Sequence, residues 1–566
     1  MRVNRGFFER NGGMGLALAL IVLLLSPARL FAEPVWVSFD GTPEPKPPQV
    51  SLISGDRTHA TLQVTVPGML VEETVVEAVT YHILTLPECA TSHELGKPQL
   101  PAIGRLIGIA PQSGMTVAVT TVDTVIKGYS VYPFQPPVPD SLGFEPPVFT
   151  IDTVTYSTDA YYPEGLVETG DPAIMRDLRV RNIFTYPISF NPVSGDLKVC
   201  LEMLIELEFT GTDMRNALDG WPSSVYPEYD LIYQVTTFNY GSLAIPLAPY
   251  PPYWRYLIIT DDNFYNAIQD FAFWKQKRGY KVEVMRVPSE IPRNTTAIKD
   301  FIREQYLAGL LGCVLLVGDH EQIPVDQGWP YRGNPIYGWI WSDYWYACVN
   351  GNDDIADVAI GRFSAQTAEQ VSTMAQKVFT YERYEGEDSY WHRRRVLLIA
   401  HIGDMGEQYI ECKQWIEENV LNPIVMPSIT AYGNDPAVTN QYVEGIITDP
   451  LGDEMGRLHG AGLVNYRGHG YNLSWPEWNT YLEYFWNSDI YDCLNFQPPN
   501  AWLPIVFEIC CSCGLTTLPE CHTEAWQRNP HGGGVGGLGA TRPSWRTENH
   551  YFDKQLFQLA YLPSGG

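Results

Sequence analysis

The rhythm of apolar residues changes once along this 566-residue chain, near position 253, and that change limits the folds open to it. From about 50 to 210 the residues alternate apolar and polar, as in ATLQVTVPG, MTVAVTTVDTV and LKVCLEMLIELEF, with turn signals such as NPVSGD between the runs. That period of two belongs to strands with one buried and one solvated face, so residues 33–211 are expected to form an all-β sandwich. After 253, continuous apolar stretches (WRYLIIT, YKVEVMRV, GCVLLVGD, then RRVLLIAHIGD, GLVNYRGHG and PIVFEICCSCG) alternate with amphipathic segments such as FYNAIQDFAFWKQKRG and TAIKDFIREQYLAG. Strands apolar on both faces and separated by helices imply mostly parallel sheets flanked by helices. The polar stretch 384–392 divides this region into two rounds, 253–385 and 386–566. Residues 212–252 lose the alternation, gain Pro and Tyr, and read as a linker.

The ends of the chain carry a different message. Arg2, Arg5 and Arg10 precede the apolar run MGLALALIVLLL, and ARLFA ends in the small residue Ala32. This is the layout of a secretory signal peptide over residues 1–32, and its apolar run falls short of the ~20 residues needed to span a bilayer. The expectation is an exported protein, secreted or at the cell surface, without stable membrane insertion. Its 65 Asp and Glu against 37 Lys and Arg leave a formal net charge of −28. Such a surface repels phosphate backbones, which argues against nucleic acid as a partner.

In parallel sheets, functional side chains collect at the carboxyl ends of the strands. His469 lies between two glycines at the end of GLVNYRGHG, and Cys510, Cys511 and Cys513 crowd the end of PIVFEICCSCG. A thiol attacks a carbonyl as thiolate, and a neighbouring imidazole makes that form accessible near neutral pH. Cys511 is the expected nucleophile. Cys510 should face the other side of the strand, and Cys513 lies beyond its end. Zinc competes, since Cys510, Cys511, Cys513, Cys521 and His522 supply enough soft ligands, although CCSC is poor spacing for one tetrahedron. A Cys513–Cys521 disulfide beside a free Cys511 is a third reading. GVGGLG at 534–539 matches a dinucleotide fingerprint by letter, but no helix start follows it, so it reads as a loop or a glycine-rich strand.

These segments resemble the gingipain-like cysteine peptidases, secreted bacterial enzymes with a caspase-like catalytic fold. The resemblance rests on VNYRGHG with Trp475 following, EICCSCG, and EAWQRNPHGGGVGGLGATRPSW. Upstream it includes VLLVGDHEQIP, SDYWYACVNGNDD and DVAIGRFSAQTAEQ, and in the β-rich region ELGKPQLP and YPISFNPVSGDLKV. It implies a zymogen whose N-terminal β-domain is an inhibitory pro-domain, followed by two caspase-like catalytic subdomains that act on protein or peptide substrates. Carried over to this sequence, it implies Cys511 as nucleophile, His469 as general base and acid, and the N–H groups of Gly470 and Cys511 as oxyanion donors. Asp404 in HIGDMGE becomes the acid that orients the histidine, with Glu407 in reserve. No cofactor is required, and a structural calcium is allowed, for which NGNDD (350–354) is the acidic loop to examine. Relatives continue past the point where this chain stops at LAYLPSGG, so the second subdomain is expected to be truncated. Arg467 and Trp475 are expected beside the substrate. A guanidinium at 467 would repel basic side chains and attract acidic ones, unless it is merely paired with an acid such as Glu477 or Glu508. The contrasting reading is a non-catalytic secreted or adhesion protein, or a zinc-stabilised module, on the same fold.

Overall fold

The computed structural model describes residues 34–141, 148–330, 338–383, 395–403, 408–448, 460–497 and 500–561. The signal-peptide reading and the Asp404 and Glu407 assignments lie outside the described residues.

The N-terminal region is built from antiparallel strands, as its alternation predicts. Its longest strand, Asp196–Glu208, pairs on either side with Thr116–Lys127 and His59–Thr65. Leu197, Val199, Met203, Ile205 and Leu207 face a core with Leu62, Val64 and Ile107, while Glu206 and Glu208 point outward. The pairing with Thr116–Lys127 shifts register between Cys200 and Glu202, while odd-numbered residues stay inward on both sides of the shift.

The segment read as a linker is folded onto this domain. It carries a helix, Pro227–Thr236, and buries Tyr233, Tyr240 and Leu243 against Met175, Leu178 and Val180. Its Pro and Tyr content hid that packing, because only one helical face of Pro227–Thr236 is apolar and the rest of the contact comes from irregular backbone. A second joint reaches the next domain through Arg176, whose N–H donates to Asp357 Oδ1 at 2.9 Å and whose guanidinium sits 3.9 Å from the Tyr229 ring centroid. The NGNDD loop serves this joint. Asp353 accepts from the N–H of Ile174 at 2.8 Å and of Ile355 at 3.0 Å, and the Asn350 amide donates to the Arg176 carbonyl at 2.9 Å. Both Asp353 oxygens are thus engaged by backbone N–H groups at this joint.

Beyond 253 two all-parallel sheets follow. The first has the strand order Lys281–Val287, Arg255–Asp261, Leu311–Val317, Ala359–Phe363. The second has the order Ser428–Tyr432, Val396–Ala400, Leu463–Arg467, Ile505–Ile509, Gly536–Gly539. Helices cover the sheets with one apolar stripe. In Tyr265–Lys277 the buried residues are Ile268, Phe271, Ala272 and Lys275, the spacing of a single helical face. Helix Ala368–Arg383 buries Val371, Met374 and Ala375 in the same way. The glycine-rich stretch is the edge strand Gly536–Gly539, parallel to the cysteine strand and followed by no helix that could cradle a phosphate.

A buried polar seam joins the two sheets. Arg528 Nη2 lies 2.9 Å from Asp319 Oδ2 and 3.4 Å from Glu524 Oε1, and its Nε donates to the Ser364 carbonyl at 2.7 Å. Burial pushes the Glu524 carboxyl up to about 7, against the pull of Arg528. A carboxyl raised in this way binds a proton in the native state that the unfolded chain releases above about pH 4.3. The stability it confers is therefore full below about pH 4.3 and is lost as pH rises through 7. Against Glu524→Gln, which cannot titrate, the wild-type protein should lose on the order of 3 kcal/mol between pH 4.5 and 7.5, read from urea midpoints.

Candidate active site

The histidine strand (Leu463–Arg467) and the cysteine strand (Ile505–Ile509) are direct neighbours, with Leu463 opposite Ile505 and Arg467 opposite Ile509. This register puts His469 and Cys511 the same two residues beyond the sheet, at the same carboxyl edge. Both side chains are fully buried.

The glycines around His469 are needed for space. A Cβ on Gly470 would lie 2.4 Å from the Cys511 carbonyl oxygen, and one on Gly468 would lie 2.4 Å from the His401 Cβ. The GHG motif thus lets three strand ends converge, and neither glycine adopts a left-handed backbone. The Tyr466 hydroxyl donates to the His469 carbonyl at 2.8 Å and holds the loop. The His469 ring stands edge-on to His401, with centroids 4.7 Å apart, and to Tyr409 at 5.6 Å. On the cysteine side the chain turns at once, with Ser512 at φ +56°, a left-handed conformation that presents Cys511 on a tight bend.

An extended piece of the N-terminal domain occupies the cleft. Pro139 bridges Trp545 antiparallel, the Arg546 N–H donates to the Val138 carbonyl at 3.0 Å, and the Asp140 N–H donates to the Ser544 carbonyl at 2.9 Å. The Gly470 N–H donates to the Asp140 carbonyl at 3.3 Å. The Cys511 thiol sits against Ser544, whose N–H lies 3.2 Å from Sγ. Burial, reinforced by the negative charge of Asp140, pushes this thiol up to about 12. Covered in this way it is almost wholly protonated near neutral pH, so its attack on a carbonyl is slow.

Arg467 is fully buried with its side chain toward this cleft, Nη1 lying 2.7 Å from Asp140 Oδ2. Its partner is neither Glu477 nor Glu508. Trp475, expected beside the substrate, is instead in the core. Its indole stacks on Tyr466 at 4.1 Å and Phe485 at 4.6 Å, and its Nε1 donates to Glu508 at 3.0 Å. A two-residue strand, Ser474–Trp475, turns it away from the cleft.

Glu508, Cys513 and His522 form a buried group whose ligand atoms lie within 4.8 Å of one another. Glu508 is already surrounded by Trp475 Nε1, Trp526 Nε1, the Thr523 hydroxyl and His522 Nδ1, while His522 Nε2 faces the Phe485 carbonyl at 3.0 Å. These groups satisfy one another and do not fit a tetrahedral zinc site. Cys513 Sγ lies 3.1 Å from Cys510 Sγ, so its near sulfur is Cys510 and not Cys521.

The sequence reading missed Asp140, which stands alone in a proline-rich loop with no periodic signal. It also missed Arg546, Asn549 and His550. These sit on one face of helix Arg546–Tyr561 at i, i+3 and i+4, a spacing of polar residues that could have marked them.

A thiol and an imidazole thus stand at adjacent strand ends, with a backbone N–H aimed at a peptide carbonyl. The sequence model described as Peptidase family C25 matches residues 250–564, and Propeptide_C25 matches residues 43–230. The chain belongs to peptidase family C25, a family of cysteine peptidases, with the α/β catalytic fold and N-terminal pro-domain that its resemblance implied. Among relatives, Gingipain R2 of Porphyromonas gingivalis is 26% identical over 497 residues, covering 85% of this chain and 62% of that protein. Lys-gingipain of the same organism is 23% identical over 501 residues, covering 85% of this chain and 27% of that protein. The chain therefore spans about six-tenths or less of the length of these relatives. The crystal structure of the Arg specific cysteine proteinase gingipain R (RGPB) aligns with a TM-score of 0.45 at 27% identity, over 54% of this chain and 67% of that one.

Proposed function

We propose that this chain is the latent form of an exported cysteine endopeptidase. One observation carries the reading: a peptide segment lies extended in the cleft with its carbonyl oxygen on the Gly470 N–H, beside Cys511 and His469. A bound peptide carbonyl on an N–H donor is what acyl transfer requires. In the reaction His469 takes the Cys511 proton, the thiolate attacks the peptide carbonyl, and Gly470 N–H stabilises the oxyanion, with the Cys511 N–H as the second proposed donor. The imidazolium then protonates the departing amine, and water drawn by His469 hydrolyses the thioester. Asp404 is proposed to orient His469. No cofactor takes part.

Latency in this reading comes from residues 138–141 filling the cleft. Among the described residues no helix is long and apolar enough to cross a membrane. The test is hydrolysis of a fluorogenic peptide library by the protein after its N-terminal domain has been removed by limited proteolysis. Cys511→Ala should abolish turnover, and His469→Ala should lower kcat by about 10²–10⁴. Undiminished hydrolysis in Cys511→Ala would rule the nucleophile out.

A further inference from the structure

The side chain of Asp140 is enclosed by four polar groups from three elements. Arg467 Nη1 and Asn549 Nδ2 each lie 2.7 Å from Oδ2, the Tyr409 hydroxyl donates to Oδ1 at 3.0 Å, and Arg546 Nε stands 3.4 Å from Oδ1. Asp140 is completely buried there. Its backbone meanwhile is paired with 544–546, and its carbonyl sits on Gly470 N–H, as a substrate residue on the acyl side of the bond to be cut would be.

We propose that this pocket selects an aspartate side chain, so that the enzyme cuts peptides after Asp, and that the Asp140–Ser141 bond of the chain itself is its first substrate. The inference rests on the peptidase reading above and adds the substrate class to it. Two guanidiniums facing one carboxylate repel Arg and Lys side chains. Pocket depth is fixed because Arg467 cannot retreat. Its Nη2 donates to the Arg546 carbonyl at 2.7 Å, its Nη1 also to the Ile509 carbonyl at 3.2 Å, and its Nε to His550 Nδ1 at 3.2 Å. Burial and the charge of Arg467 hold the His550 imidazole down to about 2, so it stays neutral and keeps a lone pair for that bond. Glutamate carries one methylene too many for this depth, which costs roughly 10–200-fold in kcat/KM. Asparagine has the right size but leaves the guanidiniums without a counter-charge, a loss on the order of 10³-fold or more.

Self-cleavage follows the same chemistry. The Cys511 thiolate adds to the Asp140 carbonyl carbon and the C–N bond to Ser141 breaks. The Ser141 nitrogen leaves with the proton that His469 took from the thiol. Water then cleaves the thioester to leave Asp140 with a free α-carboxylate.

The experiment has two parts on the same preparation. The full chain is incubated and its fragments are identified by intact mass, beside Cys511→Ala and Asp140→Asn. The protein freed of its N-terminal domain is then assayed on a fluorogenic library that varies the residue before the scissile bond. Expected are a fragment ending at Asp140 that both variants lack, and turnover after Asp at least about 10³-fold faster than after Arg or Lys. Arg467→Met should erase that preference, and Asn549→Leu, at a position less tied into the core, should weaken it about tenfold. Cys511-dependent turnover that favours Arg, Lys or a neutral residue would overturn the aspartate inference and leave the peptidase reading standing. Absence of any Cys511-dependent turnover across the library would overturn the peptidase reading, and the inference with it.

Discussion

Iodoacetamide should alkylate Cys511 at least about 10²-fold faster at pH 7 in Asp140→Arg than in the wild-type full-length chain. The substituted residue would place a third guanidinium against Arg467 and Arg546, which expels segment 138–141 from the cleft. In the closed state burial and the Asp140 carboxylate hold the thiol up at about 12. Return toward the ordinary thiol value of about 8.5 would raise the thiolate fraction at pH 7 by about 10³. Part of that gain is given back, because a less basic thiolate is a weaker nucleophile, with a Brønsted slope of roughly 0.4–0.5. Exposure of a sulfur that is now fully buried adds to the rate. Peptide mapping of the alkylated protein reads the site directly, and equal labelling in both proteins would mean that segment 138–141 is not what silences the thiol.

Lys413→Met should destabilise the second subdomain by about 3–5 kcal/mol. Lys413 and Asp553 are both fully buried, with Nζ and Oδ2 2.5 Å apart. Asn465 from the histidine strand completes the group by donating to Asp553 Oδ1 at 3.0 Å. Burial lowers the Lys413 ammonium and the Asp553 charge opposes that shift, so each charge depends on the other. Removing the ammonium strands a carboxylate in the interior. At roughly 2–4 °C per kcal/mol, calorimetry should show the transition of this subdomain falling by about 6–20 °C. The double change Lys413→Met/Asp553→Leu should recover part of the loss, because it removes the stranded carboxylate while leaving the buried Asn465 amide without its two partners. A double variant no better than the single one would assign the loss to packing.

The parts of this protein that were legible in its sequence are those governed by local periodicity. Continuous apolar strands such as Val396–Ala400 and Leu463–Arg467 announce a parallel sheet, because only burial on both faces tolerates them. The position of His469 and Cys511 at neighbouring strand ends followed from the same pattern. What stayed hidden depends on contacts far apart in the chain. Asp140 and Arg467 meet across 327 positions, and no period links them. Trp475 follows the histidine loop closely enough to suggest the cleft, yet Tyr466 and Phe485 draw its ring into the core. Residues 212–252 lack alternation because their packing uses one helical face and irregular backbone, which composition cannot distinguish from a tether.

The joint at Arg176 lies on the first sheet, whereas the segment in the cleft meets the second. A chain nicked after Asp140 would still hold the fragment before the cut, because its strands Thr116–Lys127 and His59–Thr65 pair with Asp196–Glu208 after it, and that half of the domain is clamped through Asp353 and Asp357. The new carboxyl end would be tethered next to the pocket it had just left, at an effective concentration on the order of millimolar. Diluting such a preparation would not relieve its self-inhibition, since the occupant is held in place by the strands that pair across the cut. Activity would rise only when the anchored domain itself was digested or detached, so the time course of activation would track loss of that domain and not the first cut.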